Sequence, residues 1–161
     1  VDELALGAAL RIENNFGQQS YYNDMALVFE GDETRMVPRP LTMCLHGAIA
    51  AEAVAQVEAV QQIGMAVNHS TVAEVAQRSS AAFTDADVWG DPTGPLARAA
   101  VLARQTLRRV IAVLPREGDC CDHRDVLRSP GERVYHWNDE HCDGGVKAAK
   151  VLREAAEVEL P

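Results

Sequence analysis

The 161-residue sequence holds 25 alanines against 8 aromatic residues, and this ratio constrains the fold more than any other feature. Alanine loses no side-chain entropy in a helix and lets helix axes approach closely, whereas aromatic and β-branched residues favour sheets. The expectation is a mainly α chain, folded as a single compact domain over residues 1–161. That length is ordinary for one domain with its own core.

Apolar periodicity divides the chain into about five helices. Leu4, Ala8 and Ile12, with Leu6 and Leu10 beside them, make a short first helix that stops at Asn14, Asn15 and Gly17. Residues 25–40 carry the apolar run Ala26 to Phe29, the turn-like pair Gly31-Asp32 and then Arg35 to Val37. They read as a short β-hairpin or a structured loop. A second helix over Thr42 to Ile63 places Ile49, Ala50, Ala53, Val54, Val57 and Val60 inward, with Gly64 as its stop. A third starts at Ser70 or Thr71, where Glu74 lies at capping-box distance from Thr71. Residues 83–94 read as a loop that holds Asp85, Asp87 and Asp91.

Pro95 opens the strongest helix, with Leu96, Ala99, Ala100, Ala103, Leu107, Val110, Ile111 and Leu114 on one face and Arg98, Arg104, Arg108 and Arg109 away from it. Residues 116–134 read as a long irregular loop. Gly145 to Val158 closes the chain as a helix with Val146, Ala149, Val151, Leu152 and Ala156 inward. Lys150 with Glu154 and Arg153 with Glu157 are spaced for ion pairs along it.

Fifteen basic residues against 24 acidic ones leave a formal charge of -9. No broad cationic face is available for a phosphate backbone or an anionic membrane, so neither nucleic acid nor membrane is an expected partner. No apolar run approaches the ~20 residues of a membrane-spanning helix. Four cysteines without a cationic-then-apolar leader set the expectation of a reduced, cytoplasmic location.

Cys44, Cys120, Cys121 and Cys142 are accompanied by His46, His123, His136 and His141. Zinc asks for four such ligands, and Cys120, Cys121, His123 and Cys142 are the candidate set. No C-x-x-C pair occurs, and two adjacent cysteines can hardly both face one ion in relaxed geometry. The alternative is that Cys44 is a small buried apolar residue and the others line a polar loop. Cys44 with His46, or Cys120 and Cys121 with His123, also offers a thiol near a base, although residues two apart on a helix diverge. Elbow, P-loop, zincin and dinucleotide-binding motifs are absent from the sequence.

Trp137-Asn138-Asp139 is the other candidate site. Its tryptophan reads either as a core anchor with two capping neighbours or as an exposed aromatic recognition spot. Together, Cys44-Leu45-His46-Gly47-Ala48-Ile49, the late Trp137-Asn138-Asp139 and a final helix with Val151-Leu152-Arg153-Glu154-Ala155-Ala156 resemble a family of small uncharacterised actinobacterial and actinophage proteins. Those proteins share a C-x-x-G-A segment and a late W-N-D. The resemblance marks Cys44, Gly47, Trp137, Asn138 and Asp139, and implies a helical fold without implying an activity. The long loop 116–134 and the stretch His141 to Gly145 depart from that pattern.

No complete catalytic set can be assembled from these residues. The expected function is therefore a non-catalytic accessory protein of bacterial or phage origin that binds a protein partner, self-association included. The alternative is a small zinc-binding or Cys/His-dependent enzyme.

Overall fold

The computed structural model describes residues 1–80, 94–115 and 129–161. Among them are six helices and one two-stranded antiparallel hairpin, in the order α1 (Glu3–Glu13), β1 (Asn23–Glu30), β2 (Glu33–Thr42), α2 (Leu45–Gln61), α3 (His69–Ser80), α4 (Pro95–Val113), α5 (Pro130–Glu140) and α6 (Gly145–Ala156). The chain is a mainly helical single domain.

The helix that sequence periodicity misses is α5. Its first residues fall in the stretch expected to be irregular as far as 134, where Pro130 and Gly131 read as breakers. Pro130 instead occupies the first helical turn, where its missing N–H costs nothing. Ser129 and Glu132 form a reciprocal capping box around it.

The centre of the molecule is α2. Leu45 through Ala51 are all buried, so the helix is enclosed on every side over its first two turns rather than along one stripe. Gly47, Ala48, Ala50 and Ala51 make this enclosure feasible through their small side chains, and α1, α3, α4 and α5 all pack against α2. The burial ends before Val60, expected inward but 82% exposed. The helix also stops ahead of Gly64, at Gln62, which takes the left-handed conformation with φ 51. The Glu58 carboxylate then accepts the Gly64 and Met65 amides at 2.8 and 2.9 Å.

Three other local expectations shift. The start of α3 is set by Asn68, whose side chain accepts the Ser70 and Thr71 amides at 3.0 Å. On α4, Arg104 lies four residues after Ala100 and three before Leu107, and so falls on the apolar stripe and is buried. On α6, Val146 faces solvent, and Arg153 pairs with Glu13 of α1 at 2.9 Å instead of with Glu157. That contact supports the extensive packing of α1 against α6. No helix among the described residues is long and apolar enough to cross a membrane.

Candidate functional site

Trp137, Asn138 and Asp139 lie near the end of α5, where that helix meets the start of α2 and the segment 17–22. Trp137 is fully buried in the core, with the Lys147 ammonium 5.7 Å from its ring centroid. Asn138, also without exposure, accepts the Leu45 amide on Oδ1 at 2.8 Å and donates from Nδ2 to the Gly17 carbonyl at 3.1 Å. Asp139 Oδ1 accepts the amide of Gln19, a non-glycine residue held at φ 62. The Gln18 side-chain amide lies within hydrogen-bonding distance of the carbonyls of Asn138, Asp139 and Cys142, and so closes the end of α5. Together these side chains satisfy backbone groups that three chain segments would otherwise leave open.

The start of α2 uses the other sequence candidates. Cys44 is its N-cap, and Sγ accepts the Gly47 amide at 3.3 Å. Burial pushes the Cys44 thiol up to about 12, so it stays protonated and inert at neutral pH. Gly47 lies against the Tyr21 carbonyl, and a Cβ there would overlap that oxygen. His46 Nε2 is 2.8 Å from Ser79 Oγ, with the Tyr21 ring edge-on at 5.3 Å.

The Ser79 hydroxyl donates to the Ala76 carbonyl at 3.0 Å. It therefore serves His46 as an acceptor, which assigns the proton to Nε2. Burial lowers His46 to about 4, and neither member of the pair is exposed. The imidazole is therefore a weak base, and the Ser79 hydroxyl beside it is closed to solvent.

Above this pair a cleft of about 220 Å³ opens between Tyr21 and Tyr135, bordered by Gln19, Ser20, Ser80 and Glu132. The two tyrosine rings meet edge to face at 5.9 Å. Tyr135 is pushed up to about 12, first by burial and then by the nearby Asp139 carboxylate. Its phenol is a poor proton donor and a poor nucleophile at neutral pH.

Of the candidate zinc set, Cys120, Cys121 and His123 lie outside the described residues. Cys142 is buried, with Sγ 3.4 Å from the Gly144 carbonyl, and burial raises its thiol above the usual range. No group of three or more potential ligands comes together among the described residues.

A surface that the candidate residues did not include lies on the hairpin. Its strands pair mainly with each other, in a register that sets Leu27 opposite Met36 and Phe29 opposite Thr34. Met25, Leu27, Phe29, Met36 and Pro38 thus share one face. Leu27, Phe29 and Met36 are 52, 71 and 56% exposed.

The hairpin turns at Gly31-Asp32, with Gly31 at φ 62, the positive value that a tight two-residue loop requires at its first position. With Glu30 and Glu33 closing that loop, alternation directs the amides of Met25, Leu27 and Phe29 outward along β1. Along β2 the outward positions include Pro38, which lies opposite Met25 and has no amide; beyond it the register shifts, with Asn23 opposite Thr42. The period-two spacing of Met25, Leu27 and Phe29 and the proline at position 38 were the sequence signals for this asymmetry.

No protein-family model matches the chain, and neither curated proteins nor solved structures give a match.

Proposed function

We propose that the protein is a non-catalytic accessory protein that binds a protein partner, and that the β1–β2 hairpin is the contacting element. The observation that carries this reading is the exposed apolar face of Leu27, Phe29 and Met36 on a hairpin that none of the described helices covers extensively. Contiguous apolar side chains on a projecting element cost solubility and recur where another chain docks. An isolated two-stranded hairpin is marginal in water, and a partner would supply the missing packing. The sealed His46–Ser79 pair and the raised Cys44 and Tyr135 favour this reading over the enzyme alternative. Bacterial or phage origin enters through the family resemblance of the Cys44 to Ile49 and Trp137 to Asp139 segments.

A photo-crosslinking residue placed at Phe29 tests the proposal, with a control at Val146, which is equally exposed on α6. In actinobacterial lysate the position-29 protein should form one reproducible adduct that the control does not. The joint change Leu27→Ser and Met36→Ser should remove it. Equal labelling patterns at both positions, or no adduct at position 29, would overturn the reading.

A further inference from the structure

We infer that the partner pairs along the outer edge of β1 as an added antiparallel or parallel strand, and that it is an extended segment of alternating apolar residues with basic residues at its ends. This rests on the hairpin being the contact surface, and specifies how that surface is used.

The two edges of the hairpin are not equivalent. Along β2, Pro38 removes an amide that would otherwise face an incoming strand, and past it the register shifts, both being ways in which natural sheets block pairing. Along β1, from Asn23 to Glu30, there is no proline, and no described segment pairs with its outer side. Strand addition there satisfies the outward backbone groups and lets alternate side chains of the incoming segment extend the Met25, Leu27 and Phe29 face.

Charge selects the occupant. Acidic residues bracket the apolar stretch, with Asp24 at one end and Glu30, Asp32 and Glu33 at the other. Arg35 pairs with Glu30 at 2.8 Å, while Asp24, Asp32 and Glu33 have no ion-pair partner among the described residues. Basic ends on the incoming strand complement both acidic ends. The same pattern disfavours a second copy of this chain. A two-fold antiparallel β1–β1 pairing centred on Leu27 aligns Met25 with Phe29 but sets Asp24 opposite Glu30, and directly opposed like charges destabilise a sheet.

The probe is a synthetic nine-residue peptide alternating valine and threonine between terminal lysines, with a glutamate-ended counterpart, followed by amide NMR on the full chain. The lysine-ended peptide should shift and protect the amides of Met25, Leu27 and Phe29 and leave those of Thr34 and Met36 unprotected. The glutamate-ended peptide should bind at least about tenfold more weakly, a preference that Asp24→Lys with Asp32→Lys should reverse.

Leu27→Pro should abolish binding while Leu27→Ala weakens it only partly, with cross-strand contacts at Ala26 and Val37 reporting that the hairpin still forms. Equal loss in both variants, protection on β2, indifference to the peptide's charge, or self-association through β1 in sedimentation would overturn edge pairing. A position-29 crosslink that persists in Leu27→Pro would defeat edge pairing and leave partner binding by the hairpin standing. Loss of the crosslink in the unsubstituted chain would defeat both.

Discussion

Asn138 caps a helix to which it does not belong: its Oδ1 accepts the amide of Leu45, 93 residues earlier, at 2.8 Å. The same side chain holds the Gly17 carbonyl. Two short sequence features, one around Cys44 and one around Trp137, are thereby parts of a single piece of architecture. If Asn138 were only a cap, its removal would cost about 1 kcal/mol. Because Asn138→Ala leaves a buried amide and a carbonyl without partners, the expected loss is larger, about 2–4 kcal/mol in urea unfolding. Asn138→Asp keeps the acceptor but loses the donor and sets a second carboxylate beside Asp139, so it should be destabilising as well. A loss below about 1 kcal/mol for Asn138→Ala would show that water replaces the bridge.

Gly47 and Gly131 should tolerate no side chain. A Cβ on Gly47 overlaps the Tyr21 carbonyl, and one on Gly131 collides with Ser80 and approaches His46 to 2.9 Å. Backbone atoms cannot yield as a flexible side chain can, so Gly47→Ala should cost more than Gly131→Ala. Both should exceed about 1 kcal/mol, the lower part of the overpacking range. Gly144→Ala is the comparison, since its added Cβ meets nothing within 4 Å. Thermal midpoints of the three variants give the ranking.

Trp137 is the largest fully buried side chain among the described residues, and its indole N–H has no hydrogen-bond partner among them. Trp137→Ala should cost roughly 3–5 kcal/mol, enough to threaten a marginally stable domain. Trp137→Phe removes the unsatisfied donor along with part of the apolar surface, so it should cost clearly less than the alanine change. An unfolding midpoint unchanged in Trp137→Ala would remove the ring from the core and return it to the candidate binding surface.

Helical class and most inner faces were legible because alanine content and the 3.6-residue period are local properties. The hairpin was legible from Gly31-Asp32 between two apolar runs, although its exposed face was not read as a site. The capping pair Ser129 and Glu132 was also present in the sequence, but it went unread in a stretch that Pro130 and Gly131 marked as irregular. Tertiary relations were not legible: Arg153 has Glu157 at helical spacing, yet α6 lies against α1 and delivers it to Glu13. Nothing local could reveal that Asn138 reaches Leu45, or that α2 would be enclosed on all sides.

Cys44 and Cys142 should behave as buried thiols. Both are enclosed, and burial holds Cys44 at about 12 and Cys142 above the ordinary value. In a chain carrying Cys120→Ser and Cys121→Ser, a thiol reagent at pH 8 should label neither until denaturant is added. Rapid native labelling of one equivalent would mean that the α2 or α5 junction opens readily.

His46 should make the domain sensitive to acid. Its folded value of about 4 lies below the ordinary 6.5 because burial disfavours the charged ring. Between these limits the unfolded chain binds a proton that the folded chain excludes, so stability rises with pH across that window. Lowering the pH from 7 therefore removes stability progressively from about 6.5 down to about 4, by roughly 3 kcal/mol in all for this one group. The contribution levels off once both forms are protonated. Carboxylates titrate in the lower part of the same window, so the informative quantity is the difference from His46→Gln, followed by urea unfolding at several pH values. That variant should lose stability at pH 7 and show a shallower decline on acidification. In the unsubstituted protein, the His46 imidazole resonances should keep their neutral positions at pH 5.5. A His46 titration centred near 6.5 would show that the ring is hydrated and that the Ser79 pair is not sealed.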